Sequence, residues 1–337
     1  MRLEEFVDPI LGKTWGDLGA SIKFSGSSVK VGLGYPVDGL ANEFQESLSS
    51  FLNTPDLELE LVFDRPKDRS FSEVGRVIAV ASGKGGVGKS TCAVNVALAL
   101  EQQGARVGLL DADIYGPSIG MMLGVDDDIR PNIKEEKFFE PVRVKGIRTM
   151  SMAFLVNDKT PMVWRGPMAS GALQQMLLQT LWGELDYLIV DMPPGTGDIQ
   201  LTLSQKVAVD GAVIVTTPQD IALQDAIKGI EMFLKVDVPI LGIIENMSFH
   251  VCEKCGHESH IFGQDGGSHV SNNWDVPLIA QVPLAMEIRA KIDSGESVVK
   301  GKSSQYADES FRKAARFIAA SLWPKKTASP EISVVED

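Results

Sequence analysis

The segment with the clearest chemical potential is a glycine-rich loop that carries two lysines. It follows an apolar, β-rich run at residues 77–81 and precedes a helix-like stretch at residues 93–103. The loop matches the phosphate-binding pattern G-x-x-x-x-G-K-[ST], with the residues Gly83, Lys84, Gly85, Gly86, Val87, Gly88, Lys89, Ser90 and Thr91. In such a loop the backbone N–H groups, the helix dipole and the Lys89 ammonium hold phosphates, and Ser90 can ligate Mg²⁺. The loop therefore predicts a site for a nucleotide with Mg²⁺.

The same glycines also fit a second interpretation, a dinucleotide site. They satisfy G-x-G-x-x-G, and the acids Asp111 and Asp113 follow about 20 residues later. Residues 89–91 favour the Mg-nucleotide site, because a pyrophosphate turn does not need a Lys-Ser-Thr sequence. A further apolar run delivers Asp191 and then a glycine-bearing loop, an arrangement that holds a metal's water shell and senses a γ-phosphate. These residues together predict a nucleoside triphosphatase.

Two of the three cysteines, Cys252 and Cys255, form a C-x-x-C pair after an apolar, strand-like run. Two thiolates are too few for a closed zinc or iron–sulfur site, which generally takes four ligands. Three interpretations stay open: His257 and His260 complete a zinc site, the thiols form a redox pair, or a two-fold dimer assembles four thiolates from two chains. The third cysteine, Cys92, lies beside the phosphate loop and is predicted to be a small core residue.

These residues must be positioned by the elements around them, and from residue 76 onward short β-rich runs alternate with longer helical patterns. The alternation predicts an α/β fold of the P-loop NTPase type, with a mostly parallel, doubly wound sheet and ligands at the carboxyl ends of its strands. Residues 1–65 are predicted to form a small α+β domain. We expect a charged linker at 66–75, the ATPase domain at 76–324 and a disordered tail at 325–337.

Composition limits the classes of partner. The 337 residues include 32 Lys and Arg against 45 Asp and Glu, a net charge of −13, which disfavours a protein that binds the nucleic-acid backbone. No apolar run approaches the roughly 18 residues of a membrane-spanning helix, so no membrane partner is expected. The N-terminus carries acids where a signal peptide needs basic residues. These features predict a cytoplasmic protein.

The second lysine of the loop adds a family resemblance. The sequence K-G-G-x-G-K-[ST]-T at residues 84–91 resembles the deviant Walker ATPases. That family includes the nitrogenase iron protein, the arsenite-pump ATPase, the cell-division and plasmid-partition ATPases and the cytosolic iron–sulfur carriers. Further motifs narrow the resemblance to the Mrp/ApbC-type iron–sulfur cluster carriers, at residues 111–118, 191–198, 245–248, 252–256 and 261–263. Residues 1–65 also resemble the small domain of bacterial and organellar members.

The resemblance implies a role for several residues. Lys84 would reach into the partner subunit's nucleotide, and it is expected to be catalytic together with Lys89 and Asp113. Asp113 would lie beside the attacking water or the metal, and Asp191 would hold Mg²⁺ through water. Asn246 would recognise the adenine of ATP.

The resemblance also implies a cargo. A homodimer would bind a [4Fe–4S] cluster through Cys252 and Cys255 of both chains and pass it to apo iron–sulfur client proteins, with a cluster assembly scaffold as a further partner. One alternative is an ATP-dependent spatial or regulatory switch with a structural zinc site. Another is a reductase that couples ATP hydrolysis to electron transfer, although the cluster cysteines of the nitrogenase iron protein do not form a C-x-x-C pair.

Overall fold

The computed structural model describes residues 3–25, 28–54, 57–66, 73–114, 116–126, 128–155, 166–197, 200–201, 208–299 and 305–323. The chain divides into two compact units, Met1–Asp64 with Ala319–Asp337 and, separately, Arg65–Ile318. None of the helices in these described ranges has the length and apolar character needed to cross a membrane. The predicted tail at 325–337 and most of the predicted linker, residues 67–72, lie outside the described residues.

The described residues of the first unit include a three-stranded sheet, two α-helices and a 3-10 helix at Leu3–Glu5. The elements are α1 (Trp15–Leu18), β1 (Ser21–Ser25), β2 (Ser28–Leu33), α2 (Ala41–Leu52) and β3 (Glu58–Phe63). β2 lies in the centre, antiparallel to β1 and parallel to β3. Phe44 and Leu48 are four residues apart on α2, so they share one helix face, and both are fully buried. The ring of Phe44 stacks on Trp15 with 6.1 Å between the ring centroids.

The second unit is built on an eight-stranded sheet. Its strands are β4 (Val74–Ala81), β5 (Val107–Asp111), β8 (Val142–Val144), β9 (Ile147–Ser151), β10 (Leu185–Asp191), β11 (Gly211–Thr216), β12 (Ile240–Glu245) and β15 (Leu278–Gln281). Their order is β15-β12-β11-β4-β10-β5-β9-β8, and only the edge strand β8 runs antiparallel to its neighbour. Every residue of β10 and β11 is buried, as expected for parallel strands covered on both faces. The α/β fold with a mostly parallel sheet is confirmed.

Further described elements of this part of the chain are two small hairpins, seven α-helices and a 3-10 helix at Met152–Phe154. The hairpins pair β6 (Ile133–Lys134) with β7 (Phe138–Phe139) and β13 (His250–Val251) with β14 (Glu258–Ser259). The described helices are α3 (Lys89–Gln102), α4 (Ile119–Leu123), α5 (Gly166–Gln179), α6 (Asp220–Lys235), α7 (Gly266–Trp274), α8 (Met286–Asp293) and α9 (Gln305–Ser321). β4, the phosphate loop and α3 follow each other directly in the predicted strand–loop–helix order.

The boundaries of the units differ from the predicted ones at both ends of the ATPase domain. β4 begins at Val74, where it pairs with Leu185 of β10, so the sheet starts two residues before residue 76. Residues from Ala319 onward group with the first unit. The reason is packing of the indole of Trp323, which lies 5.8 Å from the Tyr35 ring and against Gly34.

Candidate functional site

The phosphate loop joins β4 to α3 and contains two glycines in left-handed backbone conformations. Gly86 has a φ of 83° and Gly88 has a φ of 82°. A Cβ atom on Gly88 would lie 2.1 Å from Nδ2 of Asn246, and one on Gly83 would lie 2.1 Å from the backbone oxygen of Asp225 in α6. These positions therefore require glycine, and the loop places its N–H groups at the start of a helix, where anions bind.

Lys89 and Asp191 form a buried ion pair beside this loop. The Lys89 ammonium lies 2.6 Å from Oδ1 of Asp191, with side chains 6% and 0% exposed. The same ammonium lies 3.4 Å from the hydroxyl of Ser90. Burial raises the pKa of the Asp191 carboxyl above its usual range, and the charge of Lys89 opposes this effect. The structure thus brings three predicted site residues together at the carboxyl end of β10.

The second carboxylate oxygen of Asp191 is left without a donor. Its Oδ2 atom is buried and has no hydrogen-bond partner among the described residues. A buried acceptor of this kind is costly unless water or an ion satisfies it. Mg²⁺ prefers oxygen ligands and keeps several waters, which can donate to a carboxylate. The Ser90 hydroxyl and the Asp191 carboxylate therefore fit a hydrated Mg²⁺.

Asp111 lies opposite Asp191 on the neighbouring strand β5. It accepts hydrogen bonds of 3.0–3.2 Å from the backbone N–H groups of Asp113, Ser118 and Ile119 and from the hydroxyl of Ser151. Burial, and then the charge of Asp191, raise the pKa of Asp111 to about 7. Asp111 therefore holds the loop that carries Asp113 and is not itself free to meet a ligand.

The two other predicted catalytic residues, Asp113 and Lys84, are half-buried. The backbone N–H of Asp113 donates to the Asp111 carboxylate at 3.1 Å, and Asp111 lies opposite Asp191, so Asp113 lies near the phosphate site. The backbone oxygen of Lys84 accepts a hydrogen bond of 2.9 Å from Ser82 Oγ. In the described part of the chain, the Lys84 ammonium forms no ion pair.

Asn246 follows β12 and contacts the phosphate loop directly. Its Nδ2 atom donates a 2.8 Å hydrogen bond to the backbone oxygen of Val87, and its own N–H donates to Thr216 at 2.8 Å. The contact between Asn246 and the loop was not anticipated from the sequence. Its predicted role toward the adenine stays a prediction.

The two cysteines of the C-x-x-C sequence lie in the turn of the β13–β14 hairpin. Cys252 is half-buried and Cys255 is exposed, and both thiols are free. The N–H of Gly256, which has a φ of 71°, donates to the Cys252 carbonyl at 2.8 Å. The backbone N–H groups of Cys255 and Lys254 lower the pKa of the Cys252 thiol. This environment favours a thiolate, the form that binds metals.

The histidines of this region do not complete a metal site within one chain. In the part of the chain that the structure describes, no three His, Cys, Asp or Glu side chains lie together as metal ligands would. His260 Nδ1 lies 3.3 Å from the Ser248 carbonyl, and His250 Nδ1 lies 3.0 Å from the Leu284 carbonyl. A carbonyl oxygen only accepts, so both ring nitrogens donate. The structure does not form the zinc site considered for His257 and His260.

Cys92 occupies the position predicted for it. It is fully buried in α3, and burial, followed by the charge of Asp191, raises the pKa of its thiol. It is a core residue and lies apart from the C-x-x-C pair in the fold.

The sequence places residues 245–248 in a family motif but did not predict the side-chain contacts of Glu245 beside the site. Glu245, the last residue of β12, is buried and binds Ser248, Gln281 and the N–H of Gly267. Glu245 ends an apolar strand, as Asp191 does. This pattern could have indicated that the Glu245 side chain lies beside the site.

Comparison with known proteins decides the family to which this chain belongs. Residues 73–319 match a ParA family model described as the NUBPL iron-transfer P-loop NTPase. The chain belongs to this family. It is therefore a P-loop ATPase, as the loop predicted, and the resemblance to the iron–sulfur carriers is confirmed.

Named relatives of this ATPase agree with the assignment. It is 60% identical over 225 residues to an iron-sulfur cluster carrier protein of Pseudomonas fragi, covering 67% of this chain and 78% of the relative. It is 49% identical over 268 residues to the iron-sulfur cluster transfer protein NUBPL of Mus musculus, covering 79% and 82%.

Solved structures show the same fold. A nucleotide-binding protein from Archaeoglobus fulgidus, in complex with ADP, superposes with a TM-score of 0.61 at 35% identity, covering 69% of this ATPase and 93% of that chain. The cell division ATPase MinD of Pyrococcus furiosus superposes with a TM-score of 0.55 at 22% identity, covering 72% and 98%. The second likeness concerns the fold alone.

Proposed function

We propose that this ATPase carries a [4Fe–4S] cluster between two copies of the chain, through Cys252 and Cys255 of each, and passes it to apo-proteins. The observation that carries the proposal is the pair of free thiols at a hairpin turn, with no third metal-binding side chain beside them among the described residues. A cluster that takes four thiolates needs a second pair, and a two-fold axis supplies one. The names of the relatives support the nature of the cargo.

The nucleotide chemistry depends on residues around the phosphate loop. Lys89, freed from Asp191, would place its charge on the β- and γ-phosphates. Ser90 and Asp191 would hold Mg²⁺, which neutralises phosphate charge when bound. Asp113 would orient the attacking water, and Asn246 would meet the adenine. The ammonium of Lys84, which forms no ion pair with the described residues, would complete the partner's site, so hydrolysis is expected to be slow and to require the dimer.

A site shared by two chains suits a carrier, because separating the chains dismantles the coordination sphere of the cluster. Client apo-proteins and a cluster assembly scaffold are the proposed partners. The net charge of −13 gives no support for a nucleic-acid partner. We place this activity in the cytoplasm.

Transfer to an acceptor tests the proposal. Anaerobically reconstituted protein is mixed with an apo-form of a [4Fe–4S] enzyme, and recovery of enzyme activity is followed. Wild-type protein should activate the enzyme faster than free iron and sulfide at the same concentrations. Cys92→Ala should behave like wild type, and Cys252→Ser should not activate the enzyme. Equal activation by wild type and Cys252→Ser would contradict the proposal.

A further inference from the structure

A buried carboxylate beside the nucleotide site has no part in the phosphate chemistry. Glu245 is 1% exposed and forms no ion pair in the described part of the chain. Its Oε1 accepts the N–H of Gly267 at 2.6 Å, and its Oε2 accepts Nε2 of Gln281 at 3.0 Å and the hydroxyl of Ser248. The donors around this carboxylate are therefore neutral groups. Because one of them is the Ser248 hydroxyl, the Glu245 carboxylate fixes Ser248, three residues after the end of β12.

Ser248 is in turn the point where the cysteine hairpin is attached. Its N–H donates to the Val282 carbonyl at 2.9 Å, and its hydroxyl oxygen accepts Nε2 of Gln281 at 3.1 Å. Its carbonyl accepts Nδ1 of His260, which directly follows β14. At the other end of the hairpin, His250 is bound to the Leu284 carbonyl. Movement of Ser248 would therefore move the base of the hairpin.

On its N-terminal side, Ser248 is separated by Met247 alone from Asn246, the residue that binds the phosphate loop. Asn246 donates to the Val87 carbonyl within the loop. The intervening Met247 has a φ of 55°, in the left-handed region that side chains other than glycine rarely adopt. Such a conformation persists only where its surroundings fix it. Here the hydrogen bonds of Asn246 and Ser248 do so from both sides.

We propose that residues 245–248 couple the two sites: a nucleotide that rearranges the loop contact of Asn246 lets Met247 relax and shifts Ser248 with the hairpin. This inference rests on the proposed function and names its regulation. Coupling between two binding sites is reciprocal, so bound cluster must change nucleotide affinity. The segment then acts as a junction between nucleotide and cargo.

The test compares nucleotide affinity with and without cluster. The dissociation constant of a non-hydrolysable ATP analogue with Mg²⁺ is measured anaerobically on cluster-loaded and cluster-free protein. In wild type the two constants should differ by about fivefold or more. In Ser248→Ala and in Gln281→Ala the difference should fall below about twofold. The matched control is Ser294→Ala, which removes an exposed hydroxyl that donates to the Lys291 carbonyl and should keep the wild-type difference.

Equal dissociation constants in cluster-loaded and cluster-free wild type would overturn the coupling. A wild-type difference between the two constants in folded Ser248→Ala or Gln281→Ala would overturn it as well. Iron content separates this failure from a failure of the proposed function. Wild type that binds cluster through Cys252 and Cys255 but shows no difference refutes the coupling alone. Wild type that takes up no cluster refutes the proposed function and the coupling with it.

Discussion

Lys89 is the residue on which the phosphate site depends most. Its ammonium already lies at the loop, bound to Asp191, and removing it leaves a buried carboxylate where phosphate must bind. Lys89→Ala is expected to lower ATP turnover about 100-fold or more. Phosphate release with Mg²⁺ measures the effect.

The matched comparison is Lys84→Ala, which removes the loop's other ammonium. That variant should also turn over ATP more slowly than wild type at concentrations at which wild type is dimeric, because the Lys84 charge acts in the partner's site. Wild-type turnover by Lys89→Ala would contradict the account of the phosphate site.

The three thiols should differ sharply in reactivity. The N–H groups around Cys252 lower its pKa, so more of it is thiolate at pH 7 than in the unfolded chain. Burial raises the pKa of Cys92 and shields it from reagents. In metal-free native protein at pH 7, iodoacetamide should label Cys252 faster than in denatured protein and leave Cys92 unlabelled. Mass spectrometry of timed samples measures both rates, and rapid labelling of Cys92 would contradict its assignment to the core.

At the level of residues, sequence reasoning was strongest where a motif and a strand end coincide. The loop pattern and the apolar run before Asp191 predicted that these residues meet, and the ion pair shows that they do. It was weakest where neutral groups meet across the chain. Gln281 and Ser248 lie 33 residues apart, and neither has a spacing that signals a shared hydrogen bond.

Among the elements, the phosphate loop offers a matched pair of glycine substitutions. A Cβ at Gly88 would approach the Asn246 amide to 2.1 Å at a positive φ, whereas a Cβ at Gly85 meets nothing within 4 Å. Gly88→Ala is expected to abolish nucleotide binding and to destabilise the protein by about 1–3 kcal/mol. Gly85→Ala should leave the stability of the nucleotide-free protein nearly unchanged. Thermal unfolding and titration with ADP measure the two effects, and equal behaviour of the variants would contradict the proposed geometry.

The elements differ in how well the sequence predicts them. Residues 187–190 of β10 and 211–215 of β11 are continuous apolar runs, which is the pattern of buried parallel strands. The β13–β14 hairpin has strands of two residues each, too short for any periodicity to show. The left-handed conformation of Met247 could not be predicted either, because methionine rarely adopts a positive φ.

For the whole molecule, the division into two units predicts a separation of roles. Every described residue of the phosphate loop and the cysteine hairpin lies within Arg65–Ile318. Deletion of residues 1–64 should leave ATP turnover and cluster content within about twofold of wild type. The same deletion exposes Trp323, whose partners it removes, so thermal stability should fall. A truncated protein that folds but binds no iron would show that the first unit belongs to the site.

The end of the second unit also shows what periodicity alone cannot reveal. α9 spans Gln305–Ser321, and the periodicity of a helix carries no information about which core buries its last turn. Trp323 was assigned to the ATPase domain by its position in sequence, and its packing on Tyr35 depends on a contact across nearly the whole chain.

Iron per chain is the most direct measure of the central claim. Protein reconstituted anaerobically with iron and sulfide should hold about two irons per chain as a dimer and show the broad charge-transfer absorption of a [4Fe–4S] cluster. Cys252→Ser and Cys255→Ser should each lose most of the iron and most of the absorption, because in a symmetric dimer each substitution removes two of the four thiolates. Cys92→Ala and the His257→Ala/His260→Ala double variant should keep both. About one zinc per chain, resistance to iron and loss of zinc on histidine substitution would contradict the shared cluster and indicate a zinc-stabilised switch.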